Sequence, residues 1–191
     1  MSLVVAYKRN GVVYMGADTQ STHGSTIRRT LNESGFKITR FPNGILLGVC
    51  GRVKGHQMIA AQREWFSPKE GAFDKRYIVR NIIPKLSELM KDIREDKDAS
   101  NASMEVSILI ALKDRIFVIT RQFAVYECQN FAAIGAGNDY SRYCLSQIGE
   151  SGDVNEGILK ALRAGACFES TVSAPYVLID TQDREFKIVE G

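Results

Sequence analysis

The chain has 191 residues, 45% of them hydrophobic, and its 25 Lys and Arg against 22 Asp and Glu give a formal net charge of +3. This length and composition predict a single compact domain over residues 1–191 with a sizeable core. The nearly balanced charge argues against nucleic acid or an acidic membrane surface as a partner.

The first fifty residues predict two β-hairpins. Strands at 3–8 and 12–17 flank Asn10-Gly11, and strands at 36–40 and 45–50 flank Asn43-Gly44. Asn-Gly between alternating apolar runs favours a tight hairpin turn. The polar stretch 18–35 between the hairpins is interpreted as an exposed loop, of a length that is more often functional than idle.

Helices and strands then follow in blocks. One helix is predicted from soon after Gly51 to Trp65, and a second over 77–95, where Pro84 should kink or restart it. Strands at 105–112, 115–120, 124–128 and 131–134 precede helices at 139–148 and 153–168, the latter capped by Asp153, and strands at 176–180 and 185–189 end the chain. Because strands and helices do not alternate, the order predicts an α+β fold, a four-layer α/β/β/α sandwich of two antiparallel sheets flanked by helices.

The cysteines and histidines argue against a metal or a cofactor. The four cysteines are far apart, with no C-x-x-C pair, and His23 and His56 are the only imidazoles. Isolated cysteines beside apolar residues, such as Cys50 and Cys167, are expected to be buried thiols. With no signal peptide and no long apolar span, they indicate a cytoplasmic protein.

Familiar catalytic motifs are missing from the sequence. It contains no phosphate-binding loop, no zinc-protease motif and no nucleophile elbow, and Gly135-Ala136-Gly137 is better explained by a strand-to-helix turn. One nucleophile needs no such motif, because a chain-terminal Ser, Thr or Cys carries its own base. Its α-amine has a reference pKa of about 8 and can accept the hydroxyl or thiol proton.

Five stretches in this order and spacing resemble the successive motifs of proteasome β-type subunits and their bacterial ring-protease relatives. They are SLVVAY from Ser2, GADTQST from Gly16, FKIT from Phe36, LLGVCG from Leu46 and AIGAG from Ala133. The resemblance covers essentially the whole chain. It implies an N-terminal-nucleophile hydrolase with the four-layer sandwich, which cleaves peptides or unfolded proteins inside a homo-oligomeric ring. An ATP-dependent unfoldase is a further partner that it suggests.

The resemblance also assigns roles to individual residues. Ser2 takes the place of the nucleophile, usually a threonine, and Gly51 takes the place of the glycine whose backbone N–H faces the oxyanion. Lys37, as an ammonium, would favour deprotonation of the nucleophile, and Asp18 would hold that ammonium in place. Taken alone, Asp18 is better explained as a turn residue and Lys37 as an exposed strand residue, and the spacing shared with the family reverses this interpretation.

The same resemblance predicts where a substrate binds. Ser21 and Thr22 would line the cleft, with Thr22 offering backbone hydrogen bonds to an extended peptide. Val49 and Val53 would help to wall the pocket for the residue before the cleaved bond. An apolar wall at Val49 favours uncharged or hydrophobic residues there.

Three departures from the family pattern leave activity open. Ala136 replaces a serine near the nucleophile's amine, and in 169–175 Ser173 matches a supporting serine while Ser170 replaces an aspartate, unless Glu169 reaches in. The nucleophile position holds serine, which lacks the methyl group of threonine. The alternatives are a non-catalytic shell or interaction subunit of the same fold and an amidase that acts on a small molecule.

The ends of the chain also bear on activity. Residues 1–3 and 190–191 resemble what a cloning vector leaves around an insert, so the native first residue stays open. While Met1 is attached, the nitrogen of Ser2 is an amide and cannot act as a base. We therefore expect the chain as printed to be inactive until Met1 is removed.

Overall fold

The fold consists of two five-stranded antiparallel sheets, a separate two-stranded hairpin, and helices. The computed structural model describes residues 2–23, 26–29, 32–67, 72–93 and 104–191. In these residues the strands are β1 (Leu3–Arg9), β2 (Val12–Asp18), β3 (Gln20–His23), β4 (Thr26–Arg29), β5 (Ile38–Arg40), β6 (Leu46–Gly51), β7 (Val106–Leu112), β8 (Arg115–Ile119), β9 (Val125–Cys128), β10 (Phe131–Gly135), β11 (Tyr176–Asp180) and β12 (Lys187–Val189). The α-helices are α1 (Val53–Ala60), α2 (Lys75–Tyr77), α3 (Ile83–Ile93), α4 (Asn138–Ser146) and α5 (Val154–Phe168).

Three hydrophobic clusters fill the spaces between the layers. The first sheet has the order β10-β1-β2-β11-β12 and the second β5-β6-β7-β8-β9. One cluster, including Val4 and Leu109, lies between the sheets, and another, including Leu3 and Ile158, joins the first sheet to α4 and α5. The third, including Ile108 and Leu86, joins the second sheet to α1 and α3. The predicted α/β/β/α sandwich is therefore confirmed.

Strand β1 lies in the middle of its sheet, between β10 and β2. Residues 3–6 are fully buried, because their apolar side chains alternate between the two clusters that flank this sheet. Asn10 and Gly11 have φ values of 51° and 76°, the positive values that the predicted tight turn requires. The pairing of Val4 with Ala17 then holds the start of β1 beside the end of β2.

Several predicted elements are confirmed, with adjusted ends. Asp153 caps α5, since its Oδ1 accepts the N–H of Asn155 at 2.8 Å. A π-helical stretch, Ile78–Ile82, comes just before Pro84, and the α-helix restarts at Ile83. This wider turn accommodates the missing N–H and the ring of a proline, so the expected interruption is present. The last two residues of the helix predicted over 77–95 lie outside the described residues.

Two expectations about secondary structure were wrong. The stretch 18–35 was expected to be a loop, but it contains the β3–β4 hairpin, whose second strand is exposed throughout and so shows no hydrophobic alternation. The first helix ends at Ala60 instead of Trp65, and a short 3-10 turn, Arg63–Phe66, follows it.

The cysteines are free, but they are not uniformly buried. Cys50 is buried as expected, whereas Cys167 is exposed near the end of α5, although its neighbour Ala166 packs against the core. Within the described part of the chain, no cluster of three or more His, Cys, Asp or Glu could hold a metal ion. The described helices include none with the length and apolarity needed to cross a membrane.

Candidate active site

Asp18 is a buried carboxylate at the end of β2. It is fully buried, and its Oδ1 accepts the backbone N–H of Leu3 at 2.8 Å. Its Oδ2 accepts the backbone N–H of Gln20 at 3.2 Å and an N–H of Lys37 Nζ at 2.5 Å. Burial raises the pKa of Asp18, and the neighbouring ammonium of Lys37 opposes that shift. The donated hydrogen bonds and the ion pair stabilise the charged form inside the protein.

Lys37 lies just before β5 and is 6% exposed. Besides Asp18, its Nζ donates to the backbone carbonyl of Gln20 at 2.6 Å. An ammonium has three N–H donors, and in the described residues only these two have a partner. One N–H of the ammonium is therefore left without a partner among the described residues.

Ser2 is held from two sides. Its carbonyl accepts the N–H of Ala136 at 2.8 Å, and the next residue, Leu3, is bonded to Asp18. Gly135 packs so closely that a Cβ there would lie 1.9 Å from the Ser2 carbonyl oxygen. Ser2 is 8% exposed, and no described residue is hydrogen-bonded to its Oγ. The backbone of Ser2 is therefore held in place, and its hydroxyl is not engaged in the described structure.

Gly51 ends β6 in a conformation that excludes other residues. Its φ is +139°, and a Cβ there would lie 2.3 Å from the carbonyl oxygen of Glu105. Together with Ser2, Gly51 lines a cleft of about 300 Å³. A glycine allows the backbone to approach this cleft with no side chain in the way, which suits a backbone N–H donor.

The predicted substrate-binding residues lie in two different environments. Ser21 and Thr22 are on β3, where Thr22 is exposed and its Oγ1 accepts an N–H of Gln20 at 3.3 Å. Val49 is 2% exposed in the core under α1 and α3, whereas Val53, the first residue of α1, is 55% exposed. Val53 is thus the more accessible of the two valines.

The segment 169–175 contacts this site through its backbone. The Ser170 carbonyl accepts an N–H of the Gln20 side chain at 3.1 Å, and the Ser173 hydroxyl donates to the carbonyl of Ala174. In the described structure, no side chain of Glu169, Ser170 or Ser173 is hydrogen-bonded to Ser2, Asp18 or Lys37. The buried Oγ1 of Thr171 has no hydrogen-bond partner among the described residues.

His56 belongs to the Lys37 side of the site but not to a catalytic triad. Its Nε2 lies 3.4 Å from Thr39 Oγ1, and burial together with Lys37 lowers its pKa to about 4. A neutral imidazole beside an ammonium contributes no charge near neutral pH. The His23 side chain lies outside the described residues.

Two residues of the site carried weak sequence signals. Gln20 is 2% exposed and positions Lys37 through its backbone carbonyl, a role that any residue type could perform. Gly135 was recognised only as part of a turn, although its φ of +98° and its approach to Ser2 require glycine. The two glycines in 135–137 were the sequence signal that could have indicated this role of Gly135.

Comparisons with known proteins bear on the fold of the chain. No protein-family model matches the sequence. Among solved structures, BPH from Thiobacillus denitrificans is 20% identical and superposes with a TM-score of 0.75, covering 93% of this chain and 96% of that chain. Anbu (ancestral beta-subunit) from Yersinia bercovieri is 15% identical, with a TM-score of 0.69 and coverages of 98% and 86%.

Eukaryotic HslV from Trypanosoma brucei is 17% identical to this chain, with a TM-score of 0.64, and the match covers 99% of both chains. All three proteins are proteasome-like N-terminal-nucleophile hydrolases. At these identities the likeness concerns the fold, and it extends over nearly the full length of the chain. The chain therefore has the proteasome-like N-terminal-nucleophile hydrolase fold.

Proposed function

We propose that this chain is a proteasome-type peptidase subunit that cleaves peptide bonds with the hydroxyl of Ser2, once Met1 has been removed. The observation that carries the proposal is the buried ion pair between Asp18 and Lys37, beside the start of β1. A fully buried charge pair is costly to desolvate, so it is a weak choice for stability alone. Its position next to a serine with an unengaged hydroxyl favours a catalytic role.

The first chemical step forms an ester. The free α-amine of Ser2 accepts the proton of Oγ, directly or through a water, and Oγ attacks the carbonyl carbon of the substrate. The ammonium of Lys37 lowers the cost of negative charge on Oγ and favours the unprotonated amine. The N–H of Gly51 stabilises the oxyanion of the tetrahedral intermediate, a contribution of about 3 kcal/mol. When the C–N bond breaks, the proton on the α-amine passes to the leaving amine.

The second step releases the acyl product. The α-amine of Ser2 takes a proton from a water molecule, and the resulting hydroxide attacks the ester carbonyl. The C–O bond to Ser2 then breaks, Oγ regains the proton, and a carboxylic acid leaves. Gly51 stabilises the oxyanion of this step as well.

Assembly into a homo-oligomeric ring is part of the proposal. Three aromatic side chains on α4 and α5 support a contact between copies, since Tyr140 and Phe168 stack with ring centroids 4.1 Å apart and Tyr143 is 70% exposed. Native mass spectrometry tests this, and a wild-type chain that stays monomeric would contradict it. The cytoplasm as location and an ATP-dependent unfoldase as partner remain inferences from the resemblance.

A second function, that of a non-catalytic subunit of the same fold, is favoured by one region. Ala136 and Ser170 offer no side-chain support to the amine of Ser2 where the family carries a serine and an aspartate. An α-amine without hydrogen-bond acceptors near it is less well oriented as a base. Such a subunit could keep the Asp18–Lys37 pair for structure only.

A peptidase assay separates the two functions. The chain is prepared with Met1 removed, its first residue is verified by mass spectrometry, and it is incubated with a diverse peptide library. The matched controls are the same chain with Met1 retained and the Ser2→Ala variant. The proposal predicts cleavage only by the chain that begins at Ser2. Equal cleavage by all three preparations, or none by the chain that begins at Ser2, would contradict it.

The native first residue can be tested directly. The first ten codons of the native gene show whether Ser2 is the natural residue or a vector remnant. If the natural residue is threonine, the Ser2→Thr variant should cleave the same peptides at least as fast, because the added methyl group fixes the hydroxyl rotamer.

A further inference from the structure

The cleft beside Ser2 continues into a second depression. The two share Ser107, Arg121, Gly135 and Asn138, and the second, of about 290 Å³, extends to Thr120 and Gln122 on the turn between β8 and β9. Together they form a polar groove that begins at Ser2. The Asp18–Lys37 pair lines neither of them.

Arg121 is the one charged side chain among the described residues that line the groove. No described carboxylate lies within ion-pair distance of its guanidinium. Its backbone is fixed, because its carbonyl accepts the N–H of Met104 at 2.6 Å. The turn that carries it is closed by hydrogen bonds between Thr120 and Ala124. Among the described residues, the guanidinium is therefore a cation with no ion-pair partner, and it is carried by an anchored turn.

The groove faces the leaving side of the cleaved bond if the proposed function holds. The part of a substrate before that bond is assigned to β3 and to the valine pocket, through Ser21, Thr22, Val49 and Val53. None of these four residues lines the groove. On that assignment, the groove on the other side of Ser2 is the place we expect the residues after the cleaved bond to occupy.

We propose that Arg121 makes this groove select substrates with an acidic residue shortly after the cleaved bond. A planar guanidinium binds a carboxylate through two parallel N–H donors, which a neutral amide cannot match. Ser107 and Asn138 provide further polar contacts along the same path. Because Arg121 is exposed, water weakens the attraction, and we expect a preference of about fivefold.

The test compares three internally quenched peptides that share the sequence before the cleaved bond. They carry Glu, Gln or Lys at the second residue after it, and cleavage positions are verified by mass spectrometry. The readout is the ratio of kcat/KM for the Glu peptide to that for the Gln peptide. An aminocoumarin substrate, which has no residue after the bond, reports any general change in activity separately.

The expected ratio is about 5 for the wild type, falling to about 1 in Arg121→Gln and below 1 in Arg121→Glu, which should prefer the Lys peptide. Arg121→Lys should keep part of the preference, and 0.5 M salt should reduce it. The control variant is Arg184→Gln, which removes an exposed arginine that lines neither depression and should keep the wild-type ratio.

Failure of the selectivity proposal can be distinguished from failure of the proposed function. If the aminocoumarin substrate is hydrolysed but the Glu and Gln peptides are cleaved equally, or if Arg121→Gln keeps the preference, the selectivity proposal is wrong while the proposed function stands. If the verified chain that begins at Ser2 hydrolyses none of the substrates, both are wrong.

Discussion

The two sides of Ser2 differ in how completely their polar groups are satisfied. On the Lys37 side, Asp18 accepts three hydrogen bonds and Lys37 donates two, although both residues are nearly inaccessible. On the opposite side, Ala136 offers no side-chain polar group, and the buried hydroxyl of Thr171 has no partner in the described structure. Among the described residues, the proposed site thus has a charged half, formed by Asp18 and Lys37, and an opposite half at Ala136 with no side-chain group to orient the amine.

This contrast indicates which half limits the reaction. The charged half can lower the energy of the alkoxide, since it is rigid and excludes water. The other half leaves the orientation of the amine to the backbone contacts of Ser2. We therefore expect activity to depend steeply on Lys37 and to be open to improvement at Ala136.

The largest expected effect comes from removing the cation of the charged half. Lys37→Met should lower kcat at least a thousandfold and destabilise the fold by about 3–5 kcal/mol, because Asp18 is left buried without its partner. Urea unfolding and peptide hydrolysis measure the two effects. The double variant with Asp18→Asn should recover much of the stability but no activity. Recovery of activity in the double variant would show that the pair is structural.

Gly51→Ala tests the oxyanion donor next to the same half. The added Cβ meets the Glu105 carbonyl, so the N–H is displaced, and kcat should fall about a hundredfold or more. Gly11→Ala is the matched control, since Gly11 also has a positive φ but no atom within 4 Å of the added Cβ. It should lose about 1 kcal/mol of stability and no activity. Equal losses of activity in both variants would contradict the role of Gly51.

The imidazole of His56, near Lys37, makes the stability of the fold sensitive to acid. His56 has a pKa of about 4 in the folded protein, below its ordinary value of about 6.5. Between these values the unfolded chain binds a proton that the folded chain does not. The free energy of unfolding should therefore fall as the pH drops from about 6.5 to 4.

Partial contact with water limits the loss at His56 to about 2 kcal/mol. Chemical denaturation at pH 7 and pH 4.5 measures it, and the His56→Gln variant should lose less stability than the wild type. An identical loss in both proteins would show that His56 is not the group responsible.

The smallest effect should come from restoring the opposite half. Ala136→Ser places a hydroxyl beside the start of β1, and we expect a gain in kcat of about threefold to tenfold through better orientation of the amine. Steady-state kinetics measures it, and the control is Ala61→Ser, at an exposed alanine that follows α1 and lines neither depression. No gain from Ala136→Ser, with the fold intact, would contradict the contrast between the halves.

Local rules predicted much of the fold. The Asn-Gly turn, the Asp153 cap and the interruption before Pro84 are each set by neighbouring residues, so the sequence predicts them correctly. The β3–β4 hairpin was missed because strands that bury nothing show no periodicity. The exposed Cys167 was missed because an apolar neighbour does not fix which face of a helix a residue occupies.

The site was less accessible to sequence reasoning. Asp18 and Lys37 were named through resemblance alone, since neither spacing nor residue type determines that two distant side chains meet. Gln20 acts through its backbone carbonyl. Arg121 reaches the groove from the turn between β8 and β9, which belongs to the second sheet. Both are consequences of the tertiary fold, and a single sequence carries no local signal for them.

The central claim is that Ser2, with a free amine and the Asp18–Lys37 pair beside it, is the nucleophile. Epoxomicin, a peptide epoxyketone, is a suitable probe, because an epoxyketone bonds to both the hydroxyl and the free amine of a terminal residue. The chain verified to begin at Ser2 is incubated with epoxomicin, and the adduct is located by tandem mass spectrometry. We predict one adduct, on Ser2, that is absent when Met1 is retained and in Lys37→Met. An unmodified Ser2 in the correctly processed chain would contradict the account.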